Sequence, residues 1–142
     1  MSSHIKDIYT SIANMTIGSV EARNIDKINL RVNQGDLPIR LLLPATEGDL
    51  DFGSFIGGST ALMAWVIKDL CLFAPVSAGS GVEQYAESMV DYIALYIDEV
   101  KANRCAGEYG TVLAVSIKMS PVKWAEKIYW AVDTTLTIKE II

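Results

Sequence analysis

The chain of 142 residues has a single histidine, His4, and only two cysteines, Cys71 and Cys105. A zinc site takes about three or four Cys, His or carboxylate ligands at recognisable spacing, and these residues are scattered through the chain without it. A metal centre is therefore not expected. A serine or cysteine nucleophile needs a base beside it, and His4 is the sole imidazole on offer, so nucleophilic catalysis has no legible constellation. The glycines, among them Gly53, Gly57, Gly58, Gly79 and Gly81, match neither GxGxxG nor GxxxxGK[ST], which removes the usual phosphate cradles and any cofactor they would hold. No apolar run reaches the roughly 18 residues of a spanning helix, because the stretch from Ala61 is broken by Lys68 and Asp69. Met1 to Lys6 holds polar residues where a secretory signal carries its apolar centre. The product is thus expected to stay in the cell that makes it, away from any membrane and with its cysteines reduced.

Positive charge is also scarce. Twelve Lys and Arg face seventeen Asp and Glu, for a net charge of −5. A sequence-independent nucleic-acid binder shows a basic stripe that displaces counterions from phosphates, and none is present. The short cluster Arg23, Lys27 and Arg31 is interrupted by Asp26 and reads as a solvated face.

What the chain has in quantity is apolar surface: 51% hydrophobic residues against 20% charged, with mean hydropathy +0.28. That composition excludes disorder, and the length fits one domain spanning residues 1–142. A small domain has a large surface for its volume, so an apolar excess of this size is expected to be covered in part by a neighbouring copy.

Local patterns order the elements. Ser2 and Ser3 supply caps, and Ile5, Ile8, Ile12 and Met15 form a stripe that predicts a helix from His4 to Met15, broken at Gly18. Ser19 to Gln34 carries isolated apolar residues and predicts a short strand with an irregular connection. Pro38 and Pro44 bracket Ile39 to Leu43 as a strand. Ala45 to Ser59, with Glu47, Gly48, Asp49, Asp51 and Gly53, reads as a long loop or hairpin arm that contains Phe52, Phe55 and Ile56.

Thr60 to Phe73 predicts the longest strand. Leu62, Ala64, Val66, Leu70 and Leu72 lie on one face, and Met63, Trp65, Ile67, Cys71 and Phe73 on the other. Apolar residues on both faces imply a second covering layer. Val82, Tyr85, Ala86, Met89, Ile93, Tyr96, Ile97 and Val100 recur at three and four, predicting a long helix from Val82 to Asn103. Thr111 to Met119 alternates, with Leu113, Val115, Ile117 and Met119 on one side. A turn around Val122 to Glu126 then leads to Ile128 to Ile138, with Ile128, Trp130, Val132, Leu136 and Ile138 inward and Tyr129, Asp133, Thr135, Thr137 and Lys139 outward. The fold class expected is α+β: a mostly antiparallel sheet of about four to five strands with two helices packed on one face.

Candidate functional residues are few. Cys71 alternates with Trp65, Ile67 and Phe73 and reads as a core thiol. Asp98 and Glu99 point to diverging helix faces, and Asp49 with Asp51 lie in a loop, so these carboxylates read as solvated surface rather than an acid–base pair. Most of the aromatic residues read as core. Trp124 follows Pro121 in a turn, where a core role is harder to arrange, and is a candidate interface anchor together with Phe52, Phe55 and Ile56. A catalytic residue is not identified.

Taken in order, the helical N-terminus, the entry Gly35, Asp36, Leu37, Pro38 into Ile39 to Leu43, and the long strand ending Leu72, Phe73, Ala74, Pro75 are followed by a Gly-Val-Glu start to one long helix and a closing hairpin. This order resembles the tail terminator proteins of long-tailed bacteriophages, and the related tail-completion and neck proteins that share their fold. The resemblance covers nearly the whole chain and rests on pattern and order, since none of these residues is chemically diagnostic. It implies a structural virion protein, not an enzyme, located in the tail or neck and assembled in the host cytoplasm. It also implies a homo-oligomeric, typically hexameric ring that meets the tail tube protein on one face and the head–tail connector or adaptor on the other, with DNA only passing through. Two alternatives stay open: another minor tail, neck or baseplate protein of the same virion, or a small ligand-binding or enzymatic α+β domain in which Tyr85, Tyr92 or Asp98 lines a cleft.

Overall fold

The computed structural model describes residues 4–18, 20–23, 37–44, 54–57, 60–76, 83–103, 105–106 and 110–141, of which 21–23, 44, 54–57, 60–61, 83–84 and 105–106 are described in backbone only. Its elements run α1 (Ile5–Ala13), β1 (Glu21–Arg23), β2 (Ile39–Pro44), β3 (Ser54–Gly57), β4 (Thr60–Pro75), α2 (Glu83–Ala102), β5 (Cys105–Ala106), β6 (Gly110–Trp124) and β7 (Lys127–Ile141). The strands form a single seven-stranded sheet in the order β1-β2-β4-β7-β6-β5, with β3 paired to β4 off that path. Only β1–β2 is parallel; the other pairs are antiparallel. The α+β class is as expected. Four strands carry the sheet, and β1, β3 and β5 add short flanking pairs of three, four and two residues.

The register explains where the core sits. Arg40, Cys71, Val132 and Met119 form one row across β2, β4, β7 and β6; Leu42, Asp69, Thr134 and Ile117 form the next. Both rows face the helices. Ile8, Tyr9 and Ile12 of α1 and Met89, Tyr92, Tyr96 and Val100 of α2 pack with Ile67, Cys71, Val132, Leu136 and Ile138 into the main core, so the two helices cover one face of the sheet. The helix stops short of the expected Met15: α1 ends at Ala13 with Asn14 as its C-cap, and Gly18, at φ +60°, lies in the turn that follows between Ile17 and Val20, a left-handed conformation that glycine adopts without steric penalty. The expected caps Ser2 and Ser3 lie outside the described residues; His4 occupies the N-cap without a side-chain hydrogen bond to the helix.

Part of β4 is buried on both faces, although no described helix or strand layer lies over the second one. On the side away from the helices, Ile39, Leu41, Leu70, Leu72, Tyr129 and Ala131 form a second buried cluster, against which Leu37, Leu43, Val122 and Trp124 pack. This cluster corrects the expected alternation along β7. Tyr129 was expected outward and is buried here, because the second face is itself partly a core. Ile128, expected inward, is 48% exposed, since it lies past the last β4–β7 register pair, Pro75–Tyr129.

The strand β6 departs from expectation in a similar way. A bulge between Val112 and Ala114 interrupts its alternation and leaves Leu113 exposed. Val115 and Met119 face the helix side yet are exposed as well. Among the described strands only β5 borders β6 on its outer side, and only at Gly110 and Thr111.

The β6–β7 hairpin turns on Ala125 and Glu126, with φ of 48° and 69°. A two-residue turn with both central residues at positive φ matches the right-handed twist of its strands, but it favours Asn-Gly over residues bearing larger side chains. Left-handed backbone costs an ordinary L-residue roughly 1–2 kcal/mol. The double substitution Ala125→Asn/Glu126→Gly is expected to raise stability by about 1 kcal/mol or more, measured as a shift of the urea midpoint at unchanged slope. A variant no more stable than the parent would show that the turn is relaxed as it stands.

Candidate functional site

The most strongly built polar arrangement lies under α1. Arg40 on β2 and Asp69 on β4 are both fully buried. The register sets them diagonally across the β2–β4 pair, Arg40 opposite Cys71 and Asp69 opposite Leu42. Arg40 Nη2 donates to Asp69 Oδ2 at 2.6 Å, and Nε donates to both carboxylate oxygens at 3.2 Å. The same guanidinium reaches into the C-terminal end of α1, where Nη1 donates to the Met15 carbonyl at 2.7 Å and Nη2 to the Ile12 carbonyl at 3.1 Å. The Ile12 carbonyl also accepts the Met15 N–H at 3.1 Å, so the guanidinium adds a second donor there, and a cation at that end of a helix complements the helix dipole. From the other side, the Tyr96 hydroxyl of α2 donates to Asp69 Oδ2 at 2.7 Å. One ion pair therefore fastens α1, β2, β4 and α2 together.

Burial by itself works against the Arg40 charge, but the Asp69 carboxylate and its hydrogen bonds outweigh it and hold the guanidinium pKa above its usual value. Burial, followed by the Asp69 charge, pushes the Cys71 thiol and the Tyr92 and Tyr96 hydroxyls upward. Cys71 is accordingly a protonated core thiol with little nucleophilic character at neutral pH. Tyr9 is pushed up to about 12 by burial.

A second tether sits at the other end of α1. Glu140 on β7 is buried, accepts the backbone N–H of His4 and takes the Trp65 indole Nε1–H at 2.7 Å. A carboxylate at a helix N-terminus is favoured by the same dipole that favours Arg40 at the C-terminus.

Between α1 and the C-terminal half of α2 lies a cavity of about 550 Å³, within the size range of ligand pockets. Its lining includes the apolar residues Ile12, Val100, Val112 and Leu136 together with Asp7, Asn14, Glu99 and Asn103. Tyr85, Tyr92 and Asp98, the residues expected to line a cleft, are not part of it. Tyr92 instead packs edge-on to Phe73, with ring centroids 5.5 Å apart.

The sequence-derived interface candidates are not brought together. Phe52 lies outside the described residues, and Phe55 and Ile56 are placed in backbone only, on β3 beside β4. Trp124 ends β6 and packs half-buried against the second cluster, its Nε1 shielded from solvent without a hydrogen-bond partner among the described residues. Apolar exposure appears elsewhere, at Val90, Leu95 and Ile97 on α2 and at Leu113, Val115 and Met119 on β6. The sequence pattern puts Ile97 in the α2 stripe and Leu113, Val115 and Met119 on one side of their strand, and leaves Val90 and Leu95 out of the stripe; periodicity marks an apolar residue without saying which neighbour covers it.

Among the described residues no group of three or more His, Cys, Asp and Glu is placed to hold a metal ion, and no helix is long and apolar enough to cross a membrane. A scan against models of known protein families finds no match, and a search of curated proteins finds none either.

Two outcomes are expected from the buried network. Arg40→Met strands the Asp69 charge and is expected to destabilise by about 3–5 kcal/mol in urea unfolding, whereas the pair Arg40→Met/Asp69→Leu recovers most of that loss. Equal losses in the single and double variants would show that the carbonyls of α1, not Asp69, are what Arg40 serves.

The raised pKa values set the pH dependence. Groups that ionise near 9.0 (Cys71) and 10.0 (Tyr92, Tyr96) when unfolded stay protonated higher in the folded chain. Their contribution is intact below pH 9 and is lost as pH rises, at about 1.4 kcal/mol per pH unit for each group. Urea midpoints should fall steeply above pH 10, with tyrosinate absorbance from these side chains developing only on unfolding; midpoints level to pH 11 would contradict the burial.

Proposed function

We propose that this chain is a structural virion protein of the tail terminator type: an oligomeric, typically hexameric ring that caps a phage tail tube and joins it to the head–tail connector. The observation that carries self-association is β6, whose outer edge lacks a described strand partner beyond Thr111 and whose exposed apolar residues are Leu113 at the bulge and Val115 and Met119 on the helix side of the sheet. An edge of this kind with exposed apolar residues calls for a covering surface. The exposed Val90 and Ile97 on α2 extend the apolar area available to a neighbour.

The tail terminator assignment itself rests on the order of elements, a helix, a proline-bracketed strand, a long central strand, one long helix and a closing hairpin. The net charge of −5 suits a channel wall that lets DNA pass without gripping it. The mechanism is passive. Complementary surfaces bind the last ring of the tube, and the opposite face no longer matches the next tube subunit, so growth stops. No catalytic step is needed.

Light scattering of the purified protein over a concentration range, with negative-stain images of the protein alone and mixed with tail tubes, tests the reading. Rings of a few copies, free or seated at tube ends, are expected. A monomer that never associates and never binds tubes would return attention to the cavity beside α1 as a small-molecule site.

A further inference from the structure

We propose that the cavity between α1 and α2 receives the lysine-bearing tip of the β6–β7 hairpin from a second copy of this chain, giving a head-to-tail contact. The proposal rests on the ring reading and names the surfaces that would build the ring.

The cavity and the tip are complementary in chemistry. The cavity floor is apolar, with Ile12, Val100, Val112 and Leu136 all nearly excluded from solvent. Its polar lining includes the carboxylates Asp7 and Glu99, and among the described residues it contains no lysine or arginine. Both carboxylates retain access. Asp7 is exposed, with His4 Nδ1 at 3.7 Å, and half-buried Glu99 accepts from Asn103 Nδ2 at 3.1 Å through Oε2.

The tip offers the converse set. Lys123, Ala125, Glu126, Lys127 and Ile128 are all exposed around the tight turn. Glu126 offsets one of the two lysines, leaving the arm net positive by one. A lysine presents a long apolar stem and a cationic head, which suits an apolar floor beneath an acidic rim, and Ile128 adds an apolar side chain beside it.

Covalent geometry makes the contact intermolecular. Leu136 in the cavity floor and Lys127 at the tip are nine residues apart on the same strand, β7. At ~3.3 Å per residue they are separated by roughly 30 Å along a rigid hairpin, so a copy cannot fill its own cavity with its own tip. Surfaces that differ on the two partners make a heterologous contact, and repeating it generates a closed ring when the rotation closes.

Charge reversal on each side, and on both, tests the contact. Light scattering over a concentration range is compared for the parent chain, Lys123→Glu/Lys127→Glu, Asp7→Lys/Glu99→Lys, and the chain carrying all four changes. Each one-sided variant is expected to associate about tenfold more weakly or worse, and the four-fold variant to recover to within a few-fold of the parent, because the pairing is restored with its signs exchanged. Far-UV circular dichroism checks the fold of each chain. The two lysines sit on an exposed turn, so their variant tests the contact even where the α1–α2 variant does not fold. If the parent forms rings and the lysine variant forms them equally well, the contact is wrong while the ring reading stands. A parent chain that is monomeric throughout overturns both.

Discussion

The buried Arg40–Asp69 pair is the constraint on which the rest of the structure depends. Among the described residues Arg40 is the largest fully buried side chain, and it is satisfied from three directions: the Asp69 carboxylate, two carbonyls from the end of α1, and the ring of Tyr96 5.8 Å from its guanidinium carbon. A charge removed from water is tolerated only when its hydrogen-bonding capacity is met nearly in full. That requirement fixes where α1 ends, how α2 lies over β4, and which way β2 faces. An apolar contact in the same place would bury area without setting orientation.

The helix α1 is held at both ends by charge of the sign its dipole favours, Glu140 near the N-terminus and Arg40 near the C-terminus. Nine residues make a helix too short to be stable in isolation, so these two attachments and the burial of Ile8, Tyr9 and Ile12 are what keep it folded on the sheet. The attachments also hold it away from the C-terminal half of α2 at the point where the cavity opens. The same constraint that organises the core thus leaves a recess with an acidic rim, and the long β6–β7 hairpin projects its basic tip from the far end of the sheet. Together they give the subunit two unlike ends, which is what a head-to-tail ring requires.

The sheet is asymmetric in a second respect. Its helix side is a core over β2, β4 and β7 that leaves Val115 and Met119 of β6 exposed, whereas on the opposite face the buried cluster among the described residues is the one where Leu70 and Leu72 meet Ile39, Leu41, Tyr129 and Ala131. Elsewhere that face carries Lys68, paired with Asp133 at 3.3 Å, and hydroxyl-bearing residues such as Thr135 and Ser116. The apolar excess read from composition is therefore distributed between two cores and the exposed residues of β6 and α2.

Much of the architecture was legible in the chain. Repeats of three and four from Tyr85 to Val100 determine α2, and proline at positions 38 and 44 marks the limits of β2, because side-chain period and missing backbone donors are local properties. The two-faced apolar pattern of β4 likewise announced burial on both of its sides, which part of the strand shows. Sequence alone could not determine that Arg40 and Asp69 meet, since residues 29 positions apart become neighbours only through the β2–β4 register. Nor could it place Tyr129 inside and Val115 outside. Burial of an alternating residue depends on what the tertiary structure lays over that face, and here Val112 of β6 is covered by the main core while Val115 and Met119 are left exposed.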